Sequence, residues 1–138
     1  MDRAKIIMDD FREKFFISLE YWQEADYITQ WKEGLQKITV EKAKQSLLVA
    51  DIGKPKRDRY IATWAMYREG SVVFVQNTHL RINQKSRKLL KKREYKFIYD
   101  LLQPRQTLTQ SGNPISEWQI SVSSLEAFLR EDLFYTKF

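Results

Sequence analysis

The stretch Tyr60 to Asn77, YIATWAMYREGSVVFVQN, constrains the fold more than any other part of the chain. Residues alternate on both sides of Arg68-Glu69-Gly70-Ser71, and a glycine there supplies the positive φ that a tight β connection needs. With Glu69-Gly70 as a two-residue loop and Gly70 at its second central position, Tyr67 faces Val72, Ala65 faces Phe74 and Thr63 faces Gln76. Arg68, Met66 and Trp64 then share the opposite face with Ser71, Val73 and Val75. Both faces carry large apolar groups, which marks a central strand pair covered on each side and not a solvated edge.

The remaining chain must supply that cover. At 138 residues it is expected to form one domain, 1–138, burying roughly two-thirds of its unfolded surface without metal or disulfide. The absence of cysteine excludes thiolate chemistry and fits a reducing, cytoplasmic compartment. No signal peptide or membrane span is readable, because Asp9, Asp10, Arg12 and Glu13 interrupt the early apolar run. A net charge of +6 favours an anionic partner or an acidic protein surface.

In chain order, Ile7, Met8, Phe11 and Phe15 recur at helical spacing and predict an amphipathic helix from about residue 4. FFISLEYW, residues 15–22, fits both a strand and a continued helix, and the helical reading is preferred. Ile28, Trp31, Leu35 and Ile38 line one face of the next helix, with Asp26 capping its first turn and Gly34 permitting close packing on the sheet. Leu47 to Ala50 has the length of a strand, and DIGKPKRDR, residues 51–59, reads as an exposed loop entering the hairpin. Thr78 to Asn83 extends the second hairpin strand. The apolar cluster from Tyr95 to Leu102 anchors what precedes it to the core, and Pro104 breaks any helix there. Gln106 to Gln110 and Ile115 to Ser121 flank the turn signal Ser111-Gly112-Asn113-Pro114 and predict a second hairpin. Ser123 and Glu126 have capping-box spacing for a short C-terminal helix carrying Leu125, Phe128 and Leu129. The sum is an α+β domain: N-terminal helices on a mostly antiparallel sheet built around the central hairpin, closed by a C-terminal helix.

The chemical inventory is thin. His79 is the only histidine, at a strand end, and reads as a structural or surface residue. No glycine array cradles a phosphate, GxSxG is missing, and the pairs Asp9/Asp10 and Glu20/Glu24 sit where charged residues usually form a solvated helix face. Neither catalytic nor metal-ligating residues are expected, and no cofactor. The sharpest surface feature is KSRKLLKKR, residues 85–93, with six cations and no acid. Such a run neutralises phosphates, with Tyr95 and Phe97 near enough to stack bases, or steers an acidic protein, or merely solvates the surface. Among the tryptophans, Trp31 and Trp64 belong to apolar stripes and are expected in the core, while Trp118 is the better contact candidate.

Glu20-Tyr21-Trp22, Glu24-Ala25-Asp26-Tyr27 with Gln30-Trp31, Met66-Tyr67-Arg68-Glu69-Gly70 with Val75-Gln76-Asn77, and Ile115-Ser116-Glu117-Trp118 together resemble the immunity proteins of bacterial contact-dependent growth inhibition, over most of residues 15 to 130. The resemblance implies a small cytoplasmic inhibitor that binds and neutralises the toxin domain of a cognate effector, often a nuclease, as a heterodimer. It implies no catalytic residue and transfers no contact residue. The candidate contacts therefore come from charge and exposure: Arg87, Lys88, Lys91, Lys92, Arg93 and Trp118. A small basic nucleic-acid-binding protein is the alternative.

Overall fold

A computed structural model of the chain describes residues 2–8, 11–17, 19, 22–52 and 59–131, the first two segments through their backbone. Two strands open the chain, β1 (Asp2–Met8) and β2 (Phe11–Ile17), paired antiparallel from Asp2↔Ile17 to Met8↔Phe11. This replaces the helix expected from residue 4. The apolar residues there satisfy both periods, and β-prone Phe15-Phe16-Ile17 beside an equally long partner strand decides for pairing.

Helix α1 (Glu24–Thr39) follows. Gln23, not Asp26, is its N-cap; Asp26 stands at N3 and accepts a hydrogen bond from the Gln23 backbone N–H at 2.8 Å, the reciprocal half of a capping box. The main sheet is built from β3 (Gln45–Asp51), β4 (Tyr60–Glu69), β5 (Val72–Arg81) and β6 (Trp118–Ser121), in that spatial order and wholly antiparallel. Between β5 and β6 lie α2 (Gln84–Lys91) and α3 (Phe97–Leu101), and α4 (Val122–Glu131) closes the described chain. The α+β architecture expected from the sequence is the one observed, with a single helix ahead of the sheet. Most of the loop predicted for residues 51–59 lies outside the described residues.

The central hairpin forms with its loop one residue further on. Glu69 pairs with Val72, Tyr67 with Phe74 and Ala65 with Gln76, so the loop is Gly70-Ser71 and every partner is displaced by two from the expected register. Gly70 has φ +62 and Ser71 is not among the positive-φ residues, the signature of a type II′ connection with glycine first. A two-residue displacement conserves parity, so each side chain keeps its expected face. Val73, Val75, Met66 and Trp64 are buried on one side and Tyr67 and Ala65 on the other.

Helix α1 covers β3 in two ways. It lies against the face that bears Ser46, Leu48 and Arg68: the Ser46 hydroxyl donates to the Gly34 carbonyl at 2.7 Å, and Arg68 Nη1 donates to the Ile38 and Thr39 carbonyls at the helix C-terminus. It also satisfies the free edge of the sheet. Gln30 Nε2 donates to the Leu47 carbonyl (2.9 Å) while its Oε1 accepts from the Val49 N–H (2.6 Å), and Trp31 Nε1 donates to the Val49 carbonyl (2.7 Å). One glutamine thus pairs with an edge strand as a fifth strand would, which removes the open ladder that invites aggregation.

On the opposite face, Tyr67 donates to the Gln103 carbonyl and Gln45 to the Leu102 carbonyl. Arg105 lies over the Phe74 ring, 3.8 Å from its centroid, and pairs with Glu117, which also accepts from Gln76. The second hairpin forms only at its tip, where the Thr109 N–H donates to the Asn113 carbonyl and the Ile115 N–H to the Thr107 carbonyl. Gly112 (φ +85) makes the predicted turn, but Leu108 and Pro114 form an isolated bridge, and only Trp118–Ser121 becomes a strand, on β5 and not on residues 106–110. The residues before that tip are held by Arg105 on the Glu117 carboxylate and by the Gln76 amide donating to the Gln106 carbonyl. Ser121, two residues before the predicted cap, accepts from the Ser124 N–H and starts α4 directly from β6.

Candidate partner-binding surface

The basic run folds as a helix. Asn83 is the N-cap of α2, its side chain accepting from the Ser86 N–H at 2.8 Å, and the helix ends in a Schellman turn, with the Arg93 N–H donating to the Leu90 carbonyl and the Glu94 N–H to the Leu89 carbonyl. Arg93 occupies the left-handed position of that turn at φ +61, where glycine is usual. The cations Lys88 and Lys91 fall in the last turn, where they complement the helix dipole.

Leu90 and Arg87 turn inward, both buried, while Lys85, Lys88, Lys91, Lys92 and Arg93 are exposed. Arg87 is 1 % exposed and its guanidinium donates to the Ile52 carbonyl. It therefore fixes the helix on the sheet while its neighbours reach solvent. The sequence signal for this was present in Asn83 and in the spacing of Arg87, Leu90 and Leu89. The surrounding lysines hid it, because a buried arginine reads as one more surface cation.

An aromatic seat carries the helix. Trp22 is fully buried; its Nε1 donates to the Leu90 carbonyl at 2.8 Å, and its ring meets Tyr27 and Tyr95 edge-on at 5.3 and 5.2 Å. The Tyr95 hydroxyl donates to Glu33 at 2.7 Å, and Arg93 pairs with Asp26 at 2.9 Å. Burial and then the Glu33 carboxylate push the Tyr95 phenol well above its ordinary range, so it remains a donor. Burial raises the Asp26 carboxyl, but the Arg93 and Gln23 hydrogen bonds outweigh it and hold that group below its usual value. A groove of about 460 Å³ opens beside this seat, lined mainly by Leu89, Arg93, Tyr95, Lys96 and Phe97. With Tyr95 packed on Trp22, its ring is not displayed as a base-stacking platform.

Trp118 stands apart from the basic helix. It is half-buried, packs edge-on against buried Trp64 at 5.7 Å, and pairs with Val75. The seven residues of β5 from Val75 to Arg81, six rises and about 20 Å of strand, separate it from the start of α2. His79 is exposed on β5. Among the described residues no group of three His, Asp or Glu side chains is placed to hold a metal ion, and no helix is long and apolar enough to cross a membrane. Asp9, Asp10 and Glu20 lie outside the described residues.

Residues 17–128, from the end of β2 into α4, match the family described as the CdiI N-terminal domain. The chain belongs to the CdiI N-terminal domain family. A curated relative, immunity protein CdiI of Enterobacter cloacae subsp. cloacae, is 28 % identical over 125 residues, covering 91 % of this chain and 82 % of its own. Among solved structures, a chain of the CdiA-CT/CdiI toxin and immunity complex from Enterobacter cloacae superposes with a TM-score of 0.76 at 25 % identity, covering 94 % of this chain and 84 % of that one. The resemblance seen in the sequence is thereby borne out. Described residues of the motifs that carried it are scaffold parts: Trp22 seats α2, Asp26 completes the capping box of α1, Gln30 and Trp31 close the sheet edge, and Glu117 anchors Arg105.

Proposed function

We propose that this protein is an immunity protein that binds the toxin domain of its cognate contact-dependent growth inhibition effector in the cytoplasm and neutralises it by occlusion, with no catalytic activity of its own. The observation that carries the reading is similarity over nearly the whole chain to immunity protein CdiI and to a chain of a CdiA-CT/CdiI toxin and immunity complex. The toxin is a nuclease in this reading. Exposed Lys88, Lys91, Lys92 and Arg93, held on a rigid aromatic seat, supply electrostatic steering, and Trp118 is a separate apolar contact; buried Arg87 acts by positioning α2. The nucleic-acid alternative loses one of its two stacking candidates, because Tyr95 is engaged with Trp22 and Glu33.

The test is co-expression with the toxin domain encoded beside it. Growth is restored, the pair co-purifies, and a non-cognate toxin still kills. The purified protein alone degrades neither RNA nor DNA. Absence of both rescue and co-purification would overturn the reading.

A further inference from the structure

A second cationic feature lies at the other end of α2. The start of β4, the end of β5 and the first turn of α2 enclose a cleft of about 560 Å³ lined by Arg59, Arg81, Ile82, Asn83, Gln84 and Arg87. The Ile82 N–H donates to the Arg59 carbonyl at 2.8 Å and fixes the two strand ends together. Arg59 and Arg81 are exposed, Arg87 forms the floor, and among the described residues no carboxylate pairs with Arg59 or Arg81. Ser71 to Arg93 contains no Asp or Glu, so the positive field is unopposed along that stretch of chain. From Lys85 to Lys92 the exposed cations of α2 continue it for about 10 Å.

Tyr60 adds an apolar element. It sits directly opposite Arg81 in the β4–β5 register, which puts both side chains on one face about 5 Å apart at Cβ, and it is 50 % exposed. Tyrosine beside arginine is the composition that dominates binding energy in protein interfaces, and guanidinium forks match carboxylates two bonds at a time. A single-strand binder instead needs successive stacking rings along its groove. Tyr60 is not part of the cleft lining; it is the exposed ring beside Arg81, next to the cleft.

We infer that the Arg59–Arg81 cleft, with Tyr60 at its rim, receives an acidic segment of the cognate toxin domain, carboxylates pairing with the guanidinium groups and an apolar side chain covering the Tyr60 ring. This rests on the immunity reading. It makes the basic net charge a recognition feature, directed at an acidic patch on the toxin. The steering lysines of α2 lengthen the same surface.

The experiment measures association and dissociation rates of the full chain with the purified toxin domain encoded beside it, for wild type, Arg59→Glu/Arg81→Glu and Tyr60→Ala, with melting temperatures as the folding control. All three substituted residues are exposed, so the variants should melt near wild type. Charge reversal is expected to slow association at least about tenfold at low ionic strength, with the gap narrowing as salt rises. Tyr60→Ala is expected to speed dissociation about tenfold or more. Wild-type rates in both variants would overturn the cleft while leaving the immunity reading standing; failure of wild type to bind would overturn both. Variants that keep toxin binding but lose binding to a single-stranded RNA oligonucleotide would overturn it in favour of nucleic acid.

Discussion

Adding one methyl group at Gly34 tests the packing that holds α1 on the sheet. A Cβ built there lies 2.3 Å from the Leu47 carbonyl oxygen, 3.0 Å from Leu48 Cδ2 and 3.3 Å from the Leu47 carbonyl carbon. The closest atom is backbone and cannot rotate away, so in Gly34→Ala the helix must lift from β3 by about 1 Å, overpacking that typically costs 1–3 kcal/mol. Lifting strains four short buried hydrogen bonds at once: Ser46 to Gly34, Gln30 to Leu47, Val49 to Gln30 and Trp31 to Val49. Each contributes about 1 kcal/mol net, and a partial loss over the set adds roughly 1–3 kcal/mol. Opposing this, alanine favours the helix by about 1 kcal/mol over glycine. The balance is a destabilisation of about 1–5 kcal/mol, with the midpoint corresponding to a melting temperature lower by roughly 10 °C for a chain of this size. Urea and thermal unfolding, followed by far-ultraviolet circular dichroism and tryptophan fluorescence, measure it. An alanine variant as stable as wild type, or more so, would refute the close approach, because helix propensity alone predicts a gain.

Three further perturbations address other parts of the fold. Gly70→Val lowers the urea midpoint, by about 1–3 kcal/mol in stability; nothing lies within 4 Å of a Cβ at Gly70, so the effect is purely conformational, and an unchanged midpoint would remove the type II′ assignment. Trp64→Ala costs about 3–5 kcal/mol in unfolding experiments, since it empties a buried indole site and removes the edge-on partner of Trp118; an unchanged melting curve would place Trp64 at the surface. The Arg105 hydrogen bonds hold the Glu117 carboxyl below its usual value, outweighing burial and helped by Gln76. A depressed folded-state pKa contributes stability that is present above the ordinary glutamate range and lost as pH falls through the folded value. Urea midpoints of wild type should therefore fall between pH 7 and pH 3 by more than those of Glu117→Gln, and equal slopes would refute the linkage.

The sequence by itself determined the pieces whose signal is local. Alternation around Gly70 fixed a hairpin and its two faces; apolar spacing from Ile28 to Ile38 fixed α1; Gly112 fixed a turn; and the spaced motifs pointed to the immunity family to which the chain belongs. Turn register escaped it, because Glu69-Gly70 and Gly70-Ser71 conserve the same parity and only backbone dihedrals separate them. Tertiary structure decided what local pattern leaves degenerate. The apolar residues of 4–17 fit two periods, and a partner strand chose between them. Ile115 pairs with Thr107 as the turn signal implies, while Trp118 to Ser121 pairs with β5, and Arg105 and Gln106 are tied to Glu117 and Gln76. Arg87 and Lys88 are adjacent cations of similar length, yet one is the buried floor of a cleft and the other faces solvent. The three-residue spacing of Arg87 and Leu90 puts them on one helix face, but what makes that face the inward one for an arginine is the Ile52 carbonyl that a distant strand end brings within reach. The cleft of Arg59 and Arg81, with Tyr60 beside it, escaped the sequence for the same reason: it joins residues more than twenty apart through the β4–β5 register.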